Sequence, residues 1–83
     1  MPTTYILKDK NDRIYVGSTT DMDRRLREHL RGHTATTRRL EEILLVWHKE
    51  LPTLELARDT ERKIKKWKSR RMIDMLINGT ITV

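Results

Sequence analysis

Residues 14–30 read IYVGSTTDMDRRLREHL, and a change of period inside this stretch decides the fold. The first part alternates. Successive side chains of a strand point to opposite faces, so Ile14 and Val16 share one face while Tyr15 and Gly17 share the other. The second part repeats every three to four residues. Asp21 is a good N-cap for a helix over residues 22–31, with Gly32 as its left-handed stop. Met22, Leu26 and Leu30 predict an apolar stripe on that helix, and Arg25 and His29 form a second stripe one step round. A strand that runs straight into a basic helix therefore sets a tyrosine-bearing face beside an arginine and a histidine.

Working outward, residues 4–8 (TYILK) are aromatic and β-branched between polar residues and predict the partner strand. Residues 9–12 (DKND) are turn chemistry, so the two strands form a hairpin. Tyr5 and Leu7 share a face, which lets the hairpin present Tyr5 and Tyr15 on one side. Residues 32–42 read as a loop rich in arginine and hydroxyls. Residues 42–50 (EILLVWHKE) predict a third strand, apolar enough in its middle for the centre of a sheet. Thr53 caps a helix to Trp67 with Ala57, Thr60, Ile64 and Trp67 inward. Ser69 caps a last helix over residues 70–77, with Met72, Ile73, Leu76 and Ile77 inward and Gly79 as its stop. Residues 80–83 read as a short strand or a tail. The fold class expected is α+β: a small three-stranded, mainly antiparallel sheet flanked by helices in the order β-β-α-β-α-α.

The composition narrows the partners. The chain has 83 residues, 36% of them hydrophobic and 36% charged, and no cysteine. One domain with a modest core is expected, and disulfides and thiolate metal sites are excluded. The first residues are too polar for a signal peptide, and the apolar run ILLVW falls far short of the roughly 20 residues that span a bilayer. A cytoplasmic protein without a membrane partner is the expectation. Lys and Arg number 18 against 12 Asp and Glu, a net charge of +6, which points to a polyanion, most often nucleic acid. The plain alternative is a solvated basic surface.

Glu61 stands out, because it lies on or beside the apolar stripe of its helix. A buried carboxylate must be paired, hydrogen-bonded or metal-bound; the ordinary partner is Lys65 at i+4. Each remaining candidate also has an ordinary reading. Strand tyrosines are commonly half-buried sheet residues, Arg25 and His29 fit a solvated face, and Trp47 and Trp67 sit in apolar patterns that suit a core better than base stacking.

Taken together, these residues resemble the GIY-YIG nuclease family. Tyr15-Val16-Gly17 stands for YIG. Thr3-Thr4-Tyr5 stands where the family has GIY and keeps only the tyrosine, at the family's ten-residue step from Tyr5 to Tyr15. DRRLREH resembles the family's first helix, with Arg25 at the arginine position and His29 four later. ARDTERKIKKWK resembles its metal-binding helix, with Glu61 at the glutamate position. The match covers residues 3 to about 68, with a C-terminal helix over about 69–78, as in the small standalone members, so residues 1–83 are expected to be one catalytic domain.

The resemblance implies a divalent-metal-dependent DNA endonuclease, with a catalytically silent nucleic-acid binder as the alternative and RNA left open. It implies that Glu61 holds one Mg²⁺ or Mn²⁺, that Arg25 grips the scissile phosphate, that Tyr15 acts on the water, that Tyr5 supports it, and that His29 orients a group or relays a proton. A free phenol titrates near 10, so a tyrosine base calls for a cation beside it. Gly17 would let a phosphate approach the backbone. Gly17, Ser18, Arg24, Arg38, Arg39, Lys65 and Asn78 are the expected nucleic-acid contacts, with Lys and Arg at 62, 63, 66, 70 and 71 as further backbone contacts. At this length no sequence-reading module is expected, so structure selectivity or a larger targeting partner is, and the chain is expected to be a monomer or weak dimer.

Overall fold

The computed structural model describes residues 1–31 and 42–83. Strand β1 (Thr3–Lys8) and strand β2 (Ile14–Thr19) form the hairpin, α1 (Met22–Leu30) follows, then β3 (Leu44–Glu50), α2 (Leu54–Trp67) and α3 (Arg70–Ile77). The expected elements and their order are therefore present. All described pairing is antiparallel and the strand order is β2-β1-β3. The expected helix stop at Gly32 and the loop over residues 32–41 lie outside the described residues.

The hairpin turn is built by one side chain. Asp9 Oδ1 accepts from the Asn11 and Arg13 backbone amides at 3.0 and 2.7 Å, and Oδ2 accepts from Arg13 Nε at 2.9 Å. Asp12 completes the turn at φ 67°, a conformation Asp tolerates better than most residues. This fixes the register: Tyr5 opposes Gly17, Ile6 opposes Val16 and Leu7 opposes Tyr15.

Register in turn sorts the two faces. Ile6 and Val16 pack with Ile64 and Leu76 under α2 and α3, flanked by Ile14, Trp47, Trp67, Ile73, Ile81 and Val83. Tyr5 and Leu7 pack with Ile43 on the other face, flanked by Tyr15, Met22, Leu26 and Leu45. Both tryptophans thus serve the core. The last residues form no strand; Ile81 and Val83 cover the first cluster, and Lys49 Nζ donates to the Val83 carbonyl.

Two expectations are corrected. The centre of the sheet is β1, and β3 is an edge; β1 is buried almost throughout while Leu44 at the start of β3 is 68% exposed. An apolar run is not enough to make a central strand when another strand pairs on both sides. The apolar stripe of α1 also ends early. Met22 and Leu26 face inward, but Leu30 is 60% exposed and His29 is buried in its stead. The inner face turns toward His29 because the tyrosine ring beneath it supplies a polar partner.

The helices start where the caps predict. Asp21, Thr53 and Ser69 accept from the amides of Arg24, Leu56 and Met72. Helix α2 ends at Lys68 in the left-handed region, φ 48° and ψ 31°, where glycine is usual and a side chain is strained. Truncating the core residue Ile64 to alanine is expected to cost about 2–5 kcal/mol, whereas Leu30→Gln should change stability by less than about 0.5 kcal/mol. Urea unfolding of both variants checks which face of each helix is inward.

Candidate active site

The first half of the candidate site is a packed aromatic cluster on the α1 face. Tyr5 is 0% exposed and its Oη lies 2.8 Å from His29 Nε2. The ring centroid of Tyr15 stands 6.1 Å from that of Tyr5 and 5.2 Å from that of His29, the latter edge-on. Strand alternation puts both tyrosines on this face, and the helical period puts Arg25 and His29 one turn apart above them.

Gly17 is what makes room. A Cβ at this position would stand 2.6 Å from Tyr5 Oη, 2.7 Å from Tyr5 Cζ and 3.0 Å from Tyr15 Cε1. The tyrosines themselves fill the space over the glycine. The neighbouring departure from GIY has an equally local cause: Thr4 is buried on the opposite face and its hydroxyl donates to the Ala57 carbonyl at 2.6 Å, tying β1 to α2.

Electrostatics assign the protons. Burial pushes the Tyr5 phenol up to about 12, with the Arg25 guanidinium pulling the other way. Tyr5 therefore stays protonated at neutral pH and is available as a donor. Burial, and then the charge of Arg25, hold His29 below the usual imidazole value, with Glu28 opposing. A neutral ring can accept at Nε2 from a phenol that donates, which places the imidazole proton on Nδ1. Arg25 is held above its already high value, first by the Tyr5 hydroxyl, so it remains a cation. Its Nη1 donates to Glu28 Oε2 at 3.0 Å. The buried Nε makes no well-formed hydrogen bond among the described residues, although the guanidinium lies near enough to Tyr5 to act on its charge.

Glu61 is not part of this cluster. It faces β2 from α2, on the Val16 and Ser18 side of the sheet. Its Oε1 accepts from Ser18 Oγ at 2.6 Å and its Oε2 pairs with Lys65 Nζ at 2.6 Å, with the side chain 20% exposed. Among the described residues no group of three or more His, Cys, Asp or Glu assembles. That donor set suits a largely hydrated Mg²⁺ or Mn²⁺, which binds through one or two carboxylates, and does not suit a protein-caged zinc. Lys65 already neutralises the carboxylate and would have to yield to an ion.

The other expected contacts are scattered. Arg24 is exposed and lies 3.6 Å from Glu28. Ser18 and Lys65 are the partners of Glu61. Asn78 is the exposed C-cap of α3, followed by Gly79 at φ 81°, and the described contacts join it to neither half of the site. Arg38 and Arg39 lie outside the described residues. Sequence reasoning missed Glu28 as the partner of Arg25, although its i+3 spacing in RLRE was the available signal.

The GIY-YIG catalytic domain model matches residues 1–74. A UPF0213 protein of Haloquadratum walsbyi is 32% identical over 77 residues, which cover 92% of this chain and 86% of that protein. The solution NMR structure of a UPF0213 protein from Bacillus halodurans aligns with a TM-score of 0.61 and 35% identity, covering 94% of this chain and 84% of that one.

Gly17→Ala is expected to destabilise the protein by about 1–3 kcal/mol and to shift the tyrosine ring resonances in NMR spectra, because Tyr5 is backed by the central strand. A second expectation concerns pH. The unfolded chain takes up the His29 proton near 6.5 and the folded chain only at lower pH. The stability from burying neutral His29 is therefore full above that value and is lost as pH falls through the folded one. Urea unfolding between about pH 7.5 and 5 should show a smaller loss in His29→Gln than in wild type; equal losses would mean that other groups dominate acid sensitivity.

Proposed function

The chain belongs to the GIY-YIG catalytic domain family, and on that premise we propose that it is an endonuclease that hydrolyses phosphodiester bonds in DNA with one divalent cation. The observation that carries this reading is the cluster of Tyr5, Tyr15 and His29, the two tyrosines packed over Gly17, with the Arg25 guanidinium near enough to Tyr5 to act on its charge. Packing alone does not call for a half-exposed guanidinium beside two phenols, whereas phosphodiester hydrolysis calls for a permanent cation beside a water-orienting hydroxyl.

The two tyrosines take different parts. Tyr15 is half-buried and so open to solvent; it orients the attacking water and, in its phenolate form beside the Arg25 cation, takes the water's proton as the new P–O bond forms and the P–O bond to the leaving oxygen breaks. Tyr5, with no exposed surface, is a positioning residue: it holds His29 and the ring of Tyr15. Arg25 grips a non-bridging phosphate oxygen with its planar fork. Glu61 would hold Mg²⁺ or Mn²⁺, which when bound supplies positive charge to the phosphate and the leaving oxygen. The +6 charge supplies non-specific affinity for the backbone. The same reading takes residues 1–83 as one catalytic module, cytoplasmic, selective for DNA structure or directed by a larger partner. No helix of the described residues is long and apolar enough to cross a membrane.

One observation favours a second reading, a nucleic-acid binder without chemistry: both oxygens of Glu61 are already engaged, one by a cation. The test is cleavage of labelled single-stranded, duplex, forked and flapped DNA in Mg²⁺ or Mn²⁺. Wild type is expected to cut and EDTA to stop it. Tyr15→Phe and Glu61→Gln should lose at least about 10²-fold in rate while keeping DNA affinity, and Tyr5→Phe should lower kcat with little change in KM. An inert wild type that binds DNA as tightly as the variants would establish the silent binder instead.

A further inference from the structure

A groove of about 370 Å³ runs along the outer edge of β2, between that strand and the corner where α2 turns into α3. That is within the range of small-ligand sites. Its floor includes Ile14 and Ile73, both partly buried members of the core cluster. Tyr15 lines one end, and Lys65, Lys68 and Arg70 stand along the rim. The groove thus shares Tyr15 with the aromatic cluster, and shares Lys65 with Glu61.

The three cations differ. Lys65 is paired with Glu61, and Arg70 is held by Asp74 and by Asp12 in the hairpin turn. Lys68 forms no ion pair among the described residues and is exposed. Its left-handed backbone, φ 48°, is a conformation that a long side chain adopts against a steric penalty. Glycine would end α2 more easily, so the side chain at 68 is not there for the turn.

An apolar floor and a cationic rim ask for a ligand with both characters. Duplex DNA offers its outer surface as sugar and phosphate, with the bases stacked inside, and would leave the floor wet. A nucleotide outside a duplex offers a flat apolar base joined to a phosphate. We propose that this groove binds one unstacked nucleotide of a DNA single strand next to the bond to be cut, with its base over Ile14 and Ile73 and its phosphate on Lys68. The proposal rests on the nuclease reading of the neighbouring site and names its substrate class: DNA with an unpaired nucleotide beside the scissile bond.

The test is a binding measurement in EDTA, so that cleavage plays no part. Fluorescence anisotropy would compare labelled hairpin duplexes that end blunt with the same duplexes carrying a short 5′ or 3′ overhang. One overhang is expected to tighten binding at least about fivefold, the effect of taking about 40 Å² of apolar surface out of water. An abasic nucleotide at the first overhang position should remove the gain. Lys68→Gly, which suits the backbone at this position and should melt no lower than wild type, is expected to remove the gain and change blunt-duplex affinity by no more than about twofold. Equal affinity for blunt and overhanging duplexes, or an abasic overhang that binds as well as an intact one, would overturn the proposal. So would a loss in Lys68→Gly that is the same for every probe. Overhang binding without cleavage in Mg²⁺ would support the groove and remove the nuclease reading; cleavage with flat binding would remove the groove alone.

Discussion

A phenol hydroxyl buried in the middle of a sheet must find a partner, and Tyr5 finds His29 at 2.8 Å. That bond organises the site. An unpaired hydroxyl in the interior costs about 1–3 kcal/mol, so the bond fixes which face of α1 turns inward. The face that satisfies Tyr5 brings His29 to the sheet and sends Leu30 to solvent. Arg25, one turn earlier on the same side, is carried over the phenols with it. The ring can lie flat enough to reach only because position 17 has no side chain.

The alternation of β2 then divides the labour. Tyr15 and Gly17 go to the α1 face; Val16 and Ser18 go to the α2 face, where Ser18 holds Glu61. On a central strand, residues of opposite faces never meet one ligand, because neighbouring strands separate them. β2 is an edge. Its free side is where a polymer passing along the sheet can reach residues of both faces, so the separation of Glu61 from the tyrosines is compatible with one extended substrate.

Much of this was legible because it is local. Caps at Asp21, Thr53 and Ser69 are sequence-adjacent chemistry, and the helices begin where those residues say. Tyr5 and Tyr15 sharing a face follows from period two and a turn held by Asp9. What was not legible depends on distant partners. That β1 is central follows from its pairing with both other strands, which no window of residues 3–8 reveals. Leu30 fits a helical stripe by spacing, and only the polar demand of Tyr5 overrides it. The role of Gly17 was read as space for a phosphate, whereas the space belongs to a ring twelve residues away in sequence. Ser18 as a holder of Glu61 joins positions 43 residues apart.

The charges around the site show how such a basic surface stays folded. Arg25 is offset by Glu28, Lys65 by Glu61, and Arg70 by Asp74 and Asp12. These three cations are therefore already paired, unlike Lys68 among the described residues, and a polyanion arriving at them must compete with carboxylates already in place. That competition weakens loose binding and favours a ligand that meets several sites at once. Arg25 illustrates the point at one atom. Its buried Nε lacks a well-formed hydrogen bond among the described residues, an arrangement that costs free energy in the absence of ligand. On the proposed reading a phosphate oxygen meets the solvent-facing end of the same guanidinium, which Glu28 and the phenol of Tyr5 already hold in place, so little side-chain freedom is left to lose on binding.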